Sequence, residues 1–345
     1  MRQKNKETLV SNSFLMRWCV CMVLAVWASF SAAQSYVALA QSDAKVIEFD
    51  SENCVGYWTP DYKCQPIKVR GYLFVPSGEW SALVMASHGA QGVDRRGFEY
   101  ADALTKNGIA ALVIDHWTPR GVNMRSMTYS QATAKGGTTS SIATDVIWAA
   151  QYVKAHYPQV KKMGLIGESM GAMTAIQLSK QRMTDLFVAK FSPKPFTFPL
   201  AAKVGLYPAC AERVKGERFA SIPFLILSGE LDDHTLAKDC VDYERWVNAN
   251  GGQLKTEIVP GAHHDFDAPH ALEFRARGQN VSKCLNMVDD KTITIVATGR
   301  VLPNTLEGQI QLPRECSSWG LHSGHGRNKF VAVPQWLGFL KQQLE

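Results

Sequence analysis

Gly167-Glu168-Ser169-Met170-Gly171 places a serine between two glycines, after an apolar run and ahead of a stretch with helical spacing from Met170 to Lys180. A serine at such a strand–turn–helix junction sits in a strained backbone conformation, with its hydroxyl clear of both elements, the form of a nucleophile elbow. The glycines are required because strand and helix approach too closely there for a Cβ atom. A serine hydroxyl is a weak nucleophile at neutral pH, so Ser169 needs a base within hydrogen-bond reach. Its plain alternative is to cap the helix that begins at Met170.

Two later stretches supply the missing groups. Pro260-Gly261-Ala262-His263-His264-Asp265-Phe266 offers two histidines, either of which can act as base. With Asp265, Asp267 and His270 they match no zinc spacing, so no metal is expected. Leu227-Ser228-Gly229-Glu230-Leu231-Asp232-Asp233 offers two carboxylates to hold the imidazole in one tautomer and stabilise the imidazolium; Asp232 and Asp233 compete for that role. A developing oxyanion needs two backbone N–H donors. Met170, directly after the serine, supplies one, and Ala90 in His88-Gly89-Ala90 supplies the other, with His88 as a structural hydrogen-bonding residue. Arg120 and Arg125 are candidates for an anionic substrate group, or else solvated surface residues.

These residues need a scaffold that gathers loops at one edge. Lys68 to Val75, Ala82 to Ser87, Ile109 to Ile114, the run before Ser169, Ala202 to Leu206, Pro223 to Leu227 and Leu254 to Val259 read as strands. Helices are expected over Phe98 to Lys106, Ile142 to His156, Leu236 to Asn248 and Val333 to Leu344. Alternating strands and helices predict a mainly parallel central sheet flanked by helices on both faces, and each candidate group follows a strand. The order serine, aspartate, histidine is that of the α/β-hydrolases. A polar ribbon or loop is expected over residues 46–66 and a long loop from His116 to Gly137. An insertion at about 271–328 breaks the rhythm, with a lone strand from Thr292 to Val296.

Hydrophobic residues at 46% and charged residues at 20% describe a globular chain. Residues 1–40 supply +3 of the net +6, and the scattered remainder excludes a nucleic-acid footprint. Those 40 residues have the form of an export signal: a basic start ending at Arg17, an apolar core from Trp18 to Ala28, and small-residue sites ending at Ala33 and Ala40. Cleavage after Ala40 is favoured. The alternative is an uncleaved membrane anchor, since no charge lies between Arg17 and Asp43. Residues 41–345 are then one domain, periplasmic or secreted, with no membrane contact after cleavage. Six cysteines remain, an even number suited to an oxidising compartment. Closeness favours Cys54–Cys64, two strand ends bring Cys210 near Cys240, and Cys284–Cys316 is left; six cysteines allow 15 pairings, and sequence does not select among them outright.

Taken in order, these stretches resemble the dienelactone hydrolase family of α/β-hydrolases, in its exported, serine-containing branch. Ser87-His88-Gly89-Ala90-Gln91-Gly92 is similar to that branch's oxyanion loop, and Asp115-His116-Trp117-Thr118-Pro119-Arg120-Gly121 to its post-strand segment. The elbow, Gly229-Glu230-Leu231-Asp232-Asp233 and Pro260-Gly261-Ala262-His263-His264-Asp265-Phe266-Asp267 complete the likeness, which runs from about residue 68 to 270. The resemblance implies Asp232 as the acid and His264 as the base. It departs in one place: the best-known members carry cysteine where this chain has Ser169. A serine implies ordinary carboxylic esters or lactones, cleaved through an acyl-enzyme, with a small-molecule substrate and no cofactor. The competing readings are a peptidase resembling the prolyl oligopeptidase catalytic domain and a non-catalytic binding protein on a hydrolase scaffold. Oligomeric state is not encoded legibly.

Overall fold

Ala82–Ser87 and Ala110–Asp115 are apolar runs in which every residue is buried, the mark of strands covered on both faces. They lie at the centre of an eight-stranded sheet in a computed structural model that describes residues 39–55, 63–191, 200–326 and 329–345. The expected export segment lies outside the described residues except for its last two positions. Ala38–Glu345 forms one compact unit. No helix among the described residues is long and apolar enough to cross a membrane.

In chain order the sheet strands are β1 (Lys45–Val55), β2 (Lys63–Phe74), β3 (Ala82–Ser87), β4 (Ala110–Asp115), β5 (Lys162–Glu168), β6 (Leu200–Leu206), β8 (Pro223–Gly229) and β9 (Gln253–Val259). Their spatial order is β1-β2-β4-β3-β5-β6-β8-β9. β2 pairs antiparallel with both β1 and β4, and every pairing from β4 to β9 is parallel. The ribbon expected over 46–66 is the hairpin β1–β2. Its outer face carries the cross-strand pairs Lys68–Asp50 and Arg70–Glu48, charges that discourage edge-to-edge association.

Helices cover both faces. α1 (Arg95–Thr105), capped by the Asp94 carboxylate, and α8 (Val333–Leu344) pack on one side, where Val84, Val113, Leu104, Trp336 and Leu340 form the core. α3 (Thr139–His156), α4 (Met170–Gln177), α5 (Gln181–Phe191) and α6 (Ala237–Ala249) lie on the other, around Met85, Leu112, Val146, Ile176 and Tyr243. The helical spacing from Met170 to Lys180 thus ends at Gln177, and α5 is a separate helix that the sequence reading did not anticipate.

Two expectations need correction. The segment from His116 to Gly137 is not a plain loop: it holds a 3-10 turn at Thr118–Arg120 and a short helix, α2 (Tyr129–Ala134), started by a Thr128–Gln131 capping box. Thr292–Ile295 is not a lone strand. It is β12 of a second sheet, ordered β13-β12-β11-β7, with β7 (Glu212–Val214), β11 (Asn286–Val288) and β13 (Val301–Pro303). β7 comes from the main domain and pairs parallel with β11, so the insertion is knitted into the sheet's loop edge. β10 (Glu273–Asn280) and β14 (Ser318–Ser323) form an antiparallel ribbon, and α7 (Leu306–Cys316) closes the insertion. Three disulfides form as expected: Cys54–Cys64 across the hairpin, Cys210–Cys240, and Cys284–Cys316 within the insertion's small core. They match an oxidising, exported location.

One core residue sets a stability prediction. Lys203 on β6 is fully buried, its ammonium donating to Ser179 Oγ at 2.6 Å, and burial pulls its pKa down to about 7. An unfolded lysine titrates near 10.4, so between those values the unfolded chain binds more protons and stability rises with pH. Lys203→Met should therefore be more stable at pH 7, by roughly 2–4 kcal/mol, with the gain shrinking toward pH 10. Urea unfolding at several pH values reads this out; a variant less stable than the parent at pH 7 contradicts it.

Candidate active site

The elbow is built by steric exclusion. A Cβ on Gly167 would lie 2.2 Å from the Gly171 carbonyl oxygen, and one on Gly171 would lie 2.0 Å from that of Ser87. Only glycine lets β5 turn into α4 this tightly while α4 crosses the end of β3. Ser169 is left at φ 47°, ψ −109°, its N–H donating to Leu206 O at 2.9 Å. A non-glycine residue held there stores on the order of 1–3 kcal/mol, supplied by the surrounding packing.

The acid loop after β8 and the histidine loop after β9 meet backbone to backbone. A Cβ on Gly229 would sit 2.5 Å from Ala262 O, and Leu231 N–H donates to that same oxygen at 2.8 Å. This contact brings Asp232 and His264 together. His264 Nδ1 lies 2.9 Å from Asp232 Oδ2, and His264 Nε2 lies 3.2 Å from Ser169 Oγ. The tie between the two aspartates resolves geometrically. Asp232 Oδ1 accepts the N–H groups of His234 and Thr235, which aims Oδ2 at the imidazole. Asp233 instead holds the insertion, bonding both the backbone N–H and the ring of His322. His263 packs its ring on His322, at 5.4 Å between centroids, and makes no bond to Ser169.

Thr235, which the sequence reading passed over, completes the arrangement. Its hydroxyl lies 3.0 Å from His264 Nδ1, 2.8 Å from Asp232 Oδ2 and 3.1 Å from Tyr207 O. It ties the acid, the base and the end of β6 into one bonded unit. The insertion adds a prop: Gly324 N–H donates to His264 O at 2.9 Å, and Ser323 Oγ donates to Asp265 Oδ2 at 2.6 Å.

Burial by itself would lower the His264 pKa, but the negative charges of Asp232 and Asp265 and the bond to Asp232 outweigh it, so the imidazolium is favoured and the pKa is raised. Burial pushes Asp232 the other way, yet its pairing with His264 and its backbone donors hold its pKa below the ordinary value. Behind the elbow lies a buried ionic cluster. The Arg96 guanidinium bonds Glu168, Asp265 and Asp94, each at 2.7 Å, and Asp267 accepts the hydroxyls of Tyr100 and Tyr207. One cation among four carboxyls cannot neutralise them all. Burial, with Asp94 and Asp267 nearby, drives the Glu168 carboxyl well above its usual range despite Arg96. Glu168 Oε1 takes up the Gly89 N–H at 3.1 Å.

That bond bears on the oxyanion cradle, because it removes Gly89 as a donor. The N–H groups of Met170 and Ala90 carry no backbone or side-chain acceptor among the described residues. The loop bearing Ala90 is fixed from below. His88 is buried, its Nδ1 bonded to Gly89 O and its Nε2 accepting His116 N–H, and burial lowers its pKa to about 3. It is a neutral strut, as expected. Ser87, His116 and Asp145 repeat the serine–histidine–acid bond pattern at 3.0 and 2.8 Å, wholly buried, and anchor the same loop.

Arg120 belongs to this anchor, and its expected role in binding substrate is corrected. Its guanidinium forms a two-pronged bond to Asp145 at 2.8 and 2.9 Å and also bonds His116 O and Asn53. Its side chain has no exposure, so no substrate anion reaches it. Arg125 is exposed and does not line the cavity at Ser169. Among the described residues no group of His, Cys, Asp and Glu side chains is arranged to hold a metal ion.

The profile of the dienelactone hydrolase family matches residues 69–285. The chain therefore belongs to this family, and its sheet with flanking helices is an α/β-hydrolase fold. No curated protein sequence matches it. Among solved structures, esterase 2 of Thermogutta terrifontis phosphorylated by paraoxon is 16% identical, covering 66% of this chain and 86% of that one, with a TM-score of 0.46. An α/β serine hydrolase without lid from Xanthomonas campestris is 13% identical over 66% and 88% of the two chains, with a TM-score of 0.42. An esterase of Pyrococcus furiosus is 15% identical over 65% and 85%, with a TM-score of 0.44.

Proposed function

We propose that this member of the dienelactone hydrolase family is an exported serine hydrolase that cleaves carboxylic ester or lactone bonds through an acyl-enzyme, in the periplasm or outside the cell. The reading rests on one observation above others: an unbroken bond chain Ser169–His264–Asp232, with the serine held at positive φ at the mouth of a cavity. Neutral His264 accepts the Ser169 proton through Nε2 as Oγ attacks the carbonyl carbon. The negative oxygen of the tetrahedral adduct falls to the N–H groups of Met170 and Ala90. Asp232 stabilises the imidazolium, which then protonates the departing alkoxide. Water, deprotonated by the same histidine, releases the acid and restores the serine.

The mechanism needs neutral His264, and its pKa is raised. The rise of kcat/KM with pH should therefore have its midpoint above about 6.5, the ordinary histidine value. A midpoint at or below that value contradicts the electrostatic account. The functional test is turnover of a p-nitrophenyl ester and the matching anilide by the mature, oxidised chain. Ester turnover with little anilide turnover supports the reading, and preferential anilide cleavage replaces it with a peptidase.

A further inference from the structure

The loop after β8 carries a second imidazole that the triad does not use. His234 is 4% exposed, and its ring meets that of His264 edge to face, with 4.5 Å between centroids. Its backbone N–H supports the triad by donating to Asp232 Oδ1, but its side chain takes no part in that bond. The side chain lines the cavity of about 240 Å³ that opens beside Ser169 and Met170.

The ring is held in one tautomer. Val281 N–H, from the insertion, donates to His234 Nδ1 at 3.3 Å, so the ring proton sits on Nε2. Burial, and after it the charge that His264 can carry, lower the His234 pKa to about 3. His234 therefore stays neutral when His264 holds the Ser169 proton, and it does not compete as a base. It is a fixed donor. That N–H has no acceptor among the described residues, and it is not sealed. The Tyr243 hydroxyl and Asn286 Oδ1 on the same wall also lack partners but lie beneath the surface, whereas His234 Nε2 meets the cavity.

A donor so placed discriminates between substrates. A substrate part with no acceptor strips the N–H of water and leaves it unpaired, whereas one with an oxygen at that place restores the bond. The ring contact with His264 sets the donor one ring away from the base, so the oxygen it meets lies near the scissile carbonyl. The negative charges of Asp232, Asp265 and Asp233 all act on this imidazole, which favours a neutral oxygen over a carboxylate.

We infer that His234 is a specificity-determining residue: its Nε2–H bonds a neutral acceptor oxygen, of an ether, hydroxyl or carbonyl group, in the part of the ester that enters the cavity. The assignment rests on Ser169 as the nucleophile for its link to hydrolysis, but the hydrogen bond it asserts does not.

Two isosteric pairs of esters test it, each exchanging one methylene for an ether oxygen. Methyl methoxyacetate against methyl butanoate places the oxygen on the acyl side, and 2-methoxyethyl acetate against butyl acetate places it on the alcohol side. The ratio of kcat/KM within a pair, divided by the same ratio for the parent protein, cancels the intrinsic reactivity of the esters. His234→Asn can keep an acceptor for Val281 near the Nδ1 position but has no donor at Nε2. His234→Gln does the opposite, keeping a donor near Nε2 and losing the Nδ1 acceptor. In one of the pairs the ratio should fall about 10–100-fold in His234→Asn and stay within about threefold in His234→Gln. A ratio that His234→Asn leaves unchanged in both pairs overturns the assignment, and a loss confined to His234→Gln reduces the ring to an anchor for Val281. Imidazole NMR spectra read the same bond without turnover. In Ser169→Ala, the His234 Nε2–H proton, identified by its loss in His234→Asn, should move downfield with one of the oxygen esters and not with its alkyl isostere. An unprotonated Nε2, or the same shift with both members of each pair, overturns it. A protein that shows this shift and hydrolyses no ester overturns the hydrolase reading and leaves the assignment standing; one that hydrolyses the esters with neither the shift nor the change of ratio does the reverse.

Discussion

Ser169→Ala should lower kcat on a carboxylic ester by about 10⁴–10⁶-fold without weakening the fold. Removing the nucleophile leaves His264, Asp232 and the Met170 and Ala90 N–H groups in place, but they then have only bulk water to activate. What remains is the acceleration that binding and the oxyanion donors give on their own. The substitution also touches the stored strain. Ser169 sits at φ 47°, and alanine relieves none of that because it keeps a Cβ. Ser169→Gly relieves it, and should be equally inactive but more stable, by about 1 kcal/mol. Kinetics with urea unfolding of both variants separates the two effects. Retention of more than about a hundredth of the activity in either would move the nucleophile elsewhere.

Asp232→Asn carries the second large effect, a fall of about 10⁴-fold in kcat at neutral pH. The carboxylate does two things that an amide cannot. It selects the tautomer with the proton on Nδ1, leaving Nε2 free to accept from Ser169, and it offsets the charge of the imidazolium. An asparagine can turn its NH₂ toward Nδ1 and fix the opposite tautomer. It also removes the main attraction that raises the His264 pKa, so the acid limb of the remaining activity should move to lower pH. Asp233→Asn is the matched control. It stands next in the chain, but its carboxylate bonds His322 of β14, so catalysis should change by less than about tenfold. If the two variants lose activity equally, the separate roles assigned to the two aspartates are wrong.

The legible parts of the sequence were those in which chemistry and local geometry coincide. A serine between two glycines at a strand end specifies its own backbone, and the clash distances at Gly167 and Gly171 show why no other residue would serve. Buried parallel strands announce themselves as unbroken apolar runs, so the loops at their carboxyl ends could be found. Asp232 and His264 could be placed on adjacent loops, but the choice over Asp233 and His263 needed the family resemblance. The reason is physical: the choice depends on which carboxylate accepts the His234 and Thr235 N–H groups and which faces β14, a strand some ninety positions later.

The misreadings share one cause, a partner distant in sequence. Arg120 looks like an anion receptor on a polar loop, because its true partner, Asp145, is hidden in the middle of a long helix. The insertion read as holding a lone strand, Thr292 to Val296, because β11 and β13, the neighbours of β12, are three residues long and show no measurable period, while the sheet is completed by β7 from position 212. Thr235 reads as one more polar loop residue until its hydroxyl is seen between the acid, the base and the Tyr207 carbonyl. Lys203 interrupts an apolar strand, and only that mismatch could have marked it in advance.

The most direct test of the account is covalent labelling of the mature, oxidised protein by a fluorophosphonate, with the adduct mapped by mass spectrometry and Ser169→Ala alongside. Such a reagent reacts with a serine whose base and oxyanion donors are already in place. The account predicts a single adduct on Ser169, formed faster as pH rises through the His264 pKa and absent from the variant. A folded, disulfide-intact protein that takes up no label, or takes it up on another residue, contradicts it.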